Sequence, residues 1–136
     1  MGETLIKELE LPWPPSVNHY YRHVGSKVLI SRDGRGYRER IVNKLKLENI
    51  TTFSGPVELF IELYPPDNRR RDVDNSLKCL LDSFSHGGLY QDDSQIFKLT
   101  VIKRDPIPPE GMAYVRIQKW KEDKTMANDA ILCKNS

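Results

Sequence analysis

The chain has 136 residues, 38% hydrophobic and 29% charged, with 21 lysines and arginines, 19 acids and three histidines. That size and balance describe one soluble domain with a real core, too short for two independent ones, and exclude a disordered or collagen-like polymer. A net charge of +2 excludes little, so any argument about partners rests on how charge is distributed.

In chain order, Leu5, Leu9 and Leu11 alternate with polar neighbours and predict a strand that stops at Pro14-Pro15, which cannot donate to a ladder. "SVNHYYRHVGSKVLISRDGRG" mixes aromatics, histidines and arginines around glycines and reads as a loop or hairpin with a strand at "KVLI". From about Tyr37 the apolar spacing becomes helical through Ile41, Val42 and Leu45, with Ser31 or Asp33 as candidate caps. "GPVELFIELYPP" returns to strand. Leu77, Leu80, Leu81 and Phe84 then mark a second helix ending at Gly87-Gly88. "LYQDDSQ" makes a turn, "IFKLTVIKR" a strand, "DPIPPEG" a loop and "AYVRIQKW" a last strand. The order predicts a small two-layer α/β (α+β) domain over 1–120, a mixed sheet packed against two helices, with a parallel crossover through the second helix and a tail at 121–136.

Charge is concentrated. Between Arg22 and Lys46 stand eight basic residues, among them Lys27, Arg35 and Arg38, against two acids, and Arg69, Arg70 and Arg71 add a second basic run. If the two runs share a face, that face attracts a polyanion such as nucleic acid; alone, each reads as a solvated surface. No apolar run reaches transmembrane length and the N-terminus carries no cleavable signal, so no membrane role is expected. Cys79 and Cys133 lack paired spacing, which argues against a disulfide framework or zinc knuckle and for a reducing cytoplasm. "DGRG" is too short for a phosphate-binding loop, and no nucleotide cofactor is expected.

"RRRDVDNSLKCLLD" places three arginines against Asp72 and Asp74 where the second helix begins. Residues two apart project to one side only in extended backbone, so a shared site needs "RDVD" extended and a helix starting near Asp74 or Asn75, with Lys78 one turn on. Of Asp92 and Asp93, adjacent and so oppositely directed on a strand, at most one can join them. Carboxylates suit a hard cation such as Mg²⁺, which activates water and polarises a phosphodiester while a lysine stabilises developing charge. Each part also has a bland reading: a cap, an i,i+4 surface pair, a turn, a salt-bridge set.

"LPWPPSVNHYYRH", "RRRDVDNSLKCLLDSF" and "GGLYQDDSQI", in this order, resemble the RusA family of Holliday junction resolvases, over about Leu9 to Ile117. The resemblance implies a homodimer that requires Mg²⁺, with Mn²⁺ able to substitute, and makes paired symmetric cuts in four-way junction DNA during recombination and repair in a bacterial or phage-infected cell. It places the essential carboxylates, as metal ligands, on Asp72, Asp74 and Asp93 and the motif lysine on Lys78, with Asp92 the lesser member of its pair. The phosphate contacts expected are Arg69, Arg70, Arg71, Arg22, Lys27, Arg35 and Arg38. Val73, where the family has leucine, is a mild departure. The alternative is a junction or branched-DNA binding protein that keeps the scaffold without cutting.

Overall fold

In a computed structural model, residues 6–121 are described, so the expectation for 122–136 lies outside the described residues. A four-stranded sheet, in the order β1 (Ile6–Leu11), β6 (Met112–Lys119), β4 (Val57–Tyr64), β5 (Ile96–Lys103), carries α2 (Arg32–Leu47) and α3 (Asp74–Gly87) on one side. This is the two-layer α/β domain with a mixed sheet expected from the strand and helix order. Only β4 and β5 are parallel, and α3 is their crossover. The remaining pairs are antiparallel.

Strict alternation makes β4 the centre of the core. Val57, Leu59, Ile61 and Leu63 are buried on the helix side, where Tyr37, Ile41 and Leu45 of α2 and Leu80 and Phe84 of α3 meet them. Glu58, Phe60, Glu62 and Tyr64 project from the opposite face, where Arg116 stands 4.6 Å from the Phe60 ring centroid and Arg104 pairs with Glu62 at 2.5 Å. The edge strand β5 is less well covered. Leu99 pairs with buried Leu59 and shares its face, yet is 39% exposed, and Phe97 is 59% exposed.

The segment before α2 folds as a one-turn helix, α1 (Val17–Tyr20), followed by the expected hairpin, β2 (Tyr21–Val24) and β3 (Lys27–Ile30), which turns at Gly25 with φ +62°. α2 begins five residues earlier than the apolar spacing from Tyr37 indicates, because the Ser31 hydroxyl accepts the Gly34 N–H at 2.9 Å and caps it. The two glycines inside its first turns look like breakers, but Gly34 is a contact: a Cβ there would sit 2.6 Å from the Tyr20 carbonyl oxygen. α3 ends at Gly88, whose φ of +83° places it in the left-handed cap. No helix of the described residues is long and apolar enough to cross a membrane.

Candidate active site

β4 delivers the chain to Pro65, and the loop that follows is organised by an acid that sequence pattern does not single out. Asp67 accepts the Arg71 guanidinium at 2.7 Å and the Arg69 N–H at 2.9 Å, and these contacts hold its carboxyl down at about 2. Arg71 also stands over the Trp13 ring, 5.8 Å from its centroid, and its carbonyl accepts the Lys103 ammonium at 2.9 Å. The residue before Asp72 is therefore fixed from three sides.

The chain then turns. Val73 has helical backbone, φ −57° and ψ −42°, and the Asn75 N–H donates to the Asp72 carbonyl at 3.2 Å. The extended "RDVD" expected from the two-residue spacing is thus corrected: α3 starts at Asp74 as expected, but Asp72 and Asp74 are separated by a turn rather than aligned along a strand. Among the described residues no side chain caps this helix, and Asp74 in its first turn complements the N-terminus. Asp72, Asp74 and Lys78 are all exposed at this end of α3, and none joins an ion pair among the described residues.

Asp93 lies elsewhere. Its carboxylate accepts the Ser85 hydroxyl at 2.8 Å, near the far end of α3. Eleven residues separate Asp74 from Ser85, about 16 Å along the axis at 1.5 Å per residue, whereas ligands of one cation lie within a few ångströms of each other. Within one chain Asp72, Asp74 and Lys78 stand exposed at the N-terminal end of α3 and Asp93 near its far end; among the described residues no group of three histidines, cysteines or acids is arranged to hold an ion. Asp92 instead shapes the backbone. It accepts the Ser94 N–H at 2.9 Å and caps a 3₁₀ turn, with the Gln95 side chain returning to its N–H. The Ser94 contacts keep its carboxyl below the usual range.

The cations divide into two kinds. Arg70 has no ion-pair partner among the described residues, Arg69 only a long contact to Asp67 of 3.7 Å, and Arg22, Lys27 and Arg35 are exposed on the hairpin and the first turns of α2. Arg71 and Arg38 have internal partners, Asp67 and Asp82. Trp13 stands near both basic runs: Arg71 lies over its ring, 5.8 Å from the centroid, and the cleft beside it is lined by Arg32, Asp33 and Arg40 of α2. Lys103 is not evident from sequence, because it reaches the loop only through the β4–β5 register; Asp82, four residues after Lys78, carries a signal that helical periodicity alone can find.

Fold and site define a small α/β domain with carboxylates and an amine at one helix mouth, bordered by exposed cations, a layout suited to phosphodiester chemistry. Comparison with known proteins is specific. The family model for endodeoxyribonuclease RusA matches residues 12–118. The crossover junction endodeoxyribonuclease of Enterobacteria phage HK97 is 42% identical over 101 residues, covering 72% of this chain and 82% of the relative. Those of Shigella sonnei and Enterobacteria phage 82 are 38% identical over 96 residues, covering 70% and 80%. The chain belongs to the RusA family of endodeoxyribonucleases.

Proposed function

We propose that this protein is a Mg²⁺-dependent, homodimeric endonuclease that resolves four-way DNA junctions by paired symmetric nicks, working in a reducing bacterial or phage-infected cytoplasm. The reading is carried by Asp72, Asp74 and Lys78, exposed together and free of ion pairs among the described residues at the mouth of α3, in a chain whose relatives bear the name of junction endodeoxyribonucleases. The assigned catalytic domain is 1–120.

The position of Asp93 supports a site built from two chains. Val73, just before α3, and Phe97 and Leu99 on β5 are exposed apolar side chains. A second copy packed there about a two-fold axis brings the partner's Asp93 to Asp72 and Asp74, and by symmetry makes two equal sites for two opposed strands. Three carboxylates then fit a hard divalent cation, and Mg²⁺, or Mn²⁺ in its place, supplies an activated water and a polarised phosphodiester there. Asp72, at the end of a loop held by Arg71 and Lys103, and Asp74, the first residue of α3, fix the geometry. Lys78, one turn inside the helix, faces the reacting phosphate and offsets the charge that develops on it. Arg22, Lys27, Arg35, Arg69 and Arg70 hold flanking phosphates, while Arg38 and Arg71 serve by keeping the scaffold in place.

Leu99→Asp, which puts a charge among these exposed apolar side chains, is expected to yield a monomer in analytical ultracentrifugation that keeps its circular-dichroism spectrum and loses nicking; an intact dimer would move the interface elsewhere. Arg70→Ala is expected to lower junction affinity and reduce the slope of log K against log salt by about one. An unchanged slope would remove Arg70 from the phosphate contacts. The function itself is tested by offering a four-way junction and linear duplexes of the same sequence arms in Mg²⁺. Nicks confined to the junction are expected, and equal cutting of both would refute structure selectivity.

A further inference from the structure

Asp74, Lys78 and Asp82 follow one another at four-residue intervals along α3 and so share a face. A carboxylate one turn from a lysine is within its ion-pair reach, and both Asp74 and Asp82 stand at that spacing from Lys78. Even so, Lys78 and Asp82 do not come within ion-pair distance. Asp82 Oδ2 is taken by Arg38 Nη2 from α2 at 2.5 Å and by the Tyr20 hydroxyl from α1, and Arg38 Nε donates to that same hydroxyl at 2.7 Å. The Arg38 guanidinium also stands 5.7 Å from the Tyr20 ring centroid.

This is more than a loose surface pair. Tyr20 is fully buried and the Arg38 and Asp82 side chains are only 21% and 33% exposed, so the contact keeps a fixed geometry. Burial pushes the Asp82 carboxyl up, the Tyr20 and Arg38 bonds outweigh it, and the group stays ionised below its usual range. An ionised carboxylate one turn from Lys78 would capture the lysine if nothing else held it.

We infer that Arg38 and Tyr20 are positioning residues that keep the Asp82 carboxylate away from Lys78, leaving the Lys78 ammonium available to the phosphate at the mouth of α3. The inference rests on the assignment of Lys78 to the nicking reaction. Arg38, placed from its charge among the DNA contacts, then acts on the chemistry without touching the DNA.

The test is a suppressor pair. Arg38→Ala frees Asp82, which turns to Lys78, and single-turnover nicking at saturating protein falls about tenfold, the scale of one charge-assisted hydrogen bond. Adding Asp82→Asn removes the competing charge and restores most of the rate. Arg38→Lys keeps it. Acylation of Lys78 by an amine-reactive reagent, followed by mass spectrometry, reads the same point without cleavage: slower in Arg38→Ala, restored in the double variant. Tyr20→Phe gives a smaller change of the same sign, and circular dichroism confirms that each variant folds. A folded double variant as slow as Arg38→Ala, or equal Lys78 acylation in wild type and Arg38→Ala, would overturn the inference. So would weakened junction binding with an unchanged rate at saturation, which makes Arg38 a phosphate contact. A wild type that nicks nothing defeats the nuclease reading instead, and the acylation pattern still decides whether Asp82 is held off Lys78.

Discussion

Asp72→Asn binds a four-way junction as the wild type does and nicks it about a thousandfold more slowly, equivalent to about 4 kcal/mol of transition-state stabilisation. The substitution keeps the shape of the side chain and removes the charge that draws a cation. Little else should change, because the loop is held by contacts that spare the Asp72 carboxylate: Arg71 on Asp67 at 2.7 Å and Lys103 on the Arg71 carbonyl at 2.9 Å. Filter binding in Ca²⁺ and nicking in Mg²⁺ separate the two properties. If Asp72→Asn lost junction binding together with its fold, Asp72 would be a structural acid, and the site would have to be sought elsewhere.

Two inactive proteins restore each other when their chains are mixed. Asp72→Asn and Asp93→Asn homodimers each lack a ligand in both sites, but a dimer containing one of each has one site with both substitutions and one with neither. Coexpression in equal amounts makes about half the dimers mixed, so nicking returns to about a quarter of the wild-type level, with one strand cut per complex. This outcome follows from the proposed two-chain site, which the length of α3 supports by putting Ser85 and its Asp93 contact about 16 Å from Asp74 at 1.5 Å per residue. Were the three acids brought together by rearrangement inside one chain, both sites of the mixed dimer would be dead and no activity would return.

The fold is largely legible from local pattern. Alternation along "VELFIELY" sets the central strand, the 3.6-residue spacing of Leu77, Leu80, Leu81 and Phe84 sets α3, and a helix between two strands implies the parallel crossover that β4 and β5 form. α2 reads too short because Gly34 and Gly36 count against a helix in isolation; only the close approach of the Tyr20 backbone explains the first of them. The site is legible in its residues more than in its geometry. "RDVD" lies beside a helix start, and nothing local decides whether Val73 continues a strand or opens the helix. That Asp93 lies beyond the far end of α3 follows from helix length, but its hold by Ser85 and the hold of Asp82 by Tyr20 and Arg38 join residues 8, 62 and 44 apart. Contacts of the last two separations leave no periodic trace in a sequence.

The most direct measurement is to map every cut made by the purified wild type on a synthetic four-way junction, each strand end-labelled in turn, with and without Mg²⁺. Nicks at symmetric positions on two opposed strands, present only with the metal, are the predicted result. Tight junction binding with no nick on any strand, in Mg²⁺ or Mn²⁺, would contradict the account and make this a junction-binding protein whose aspartates serve the fold.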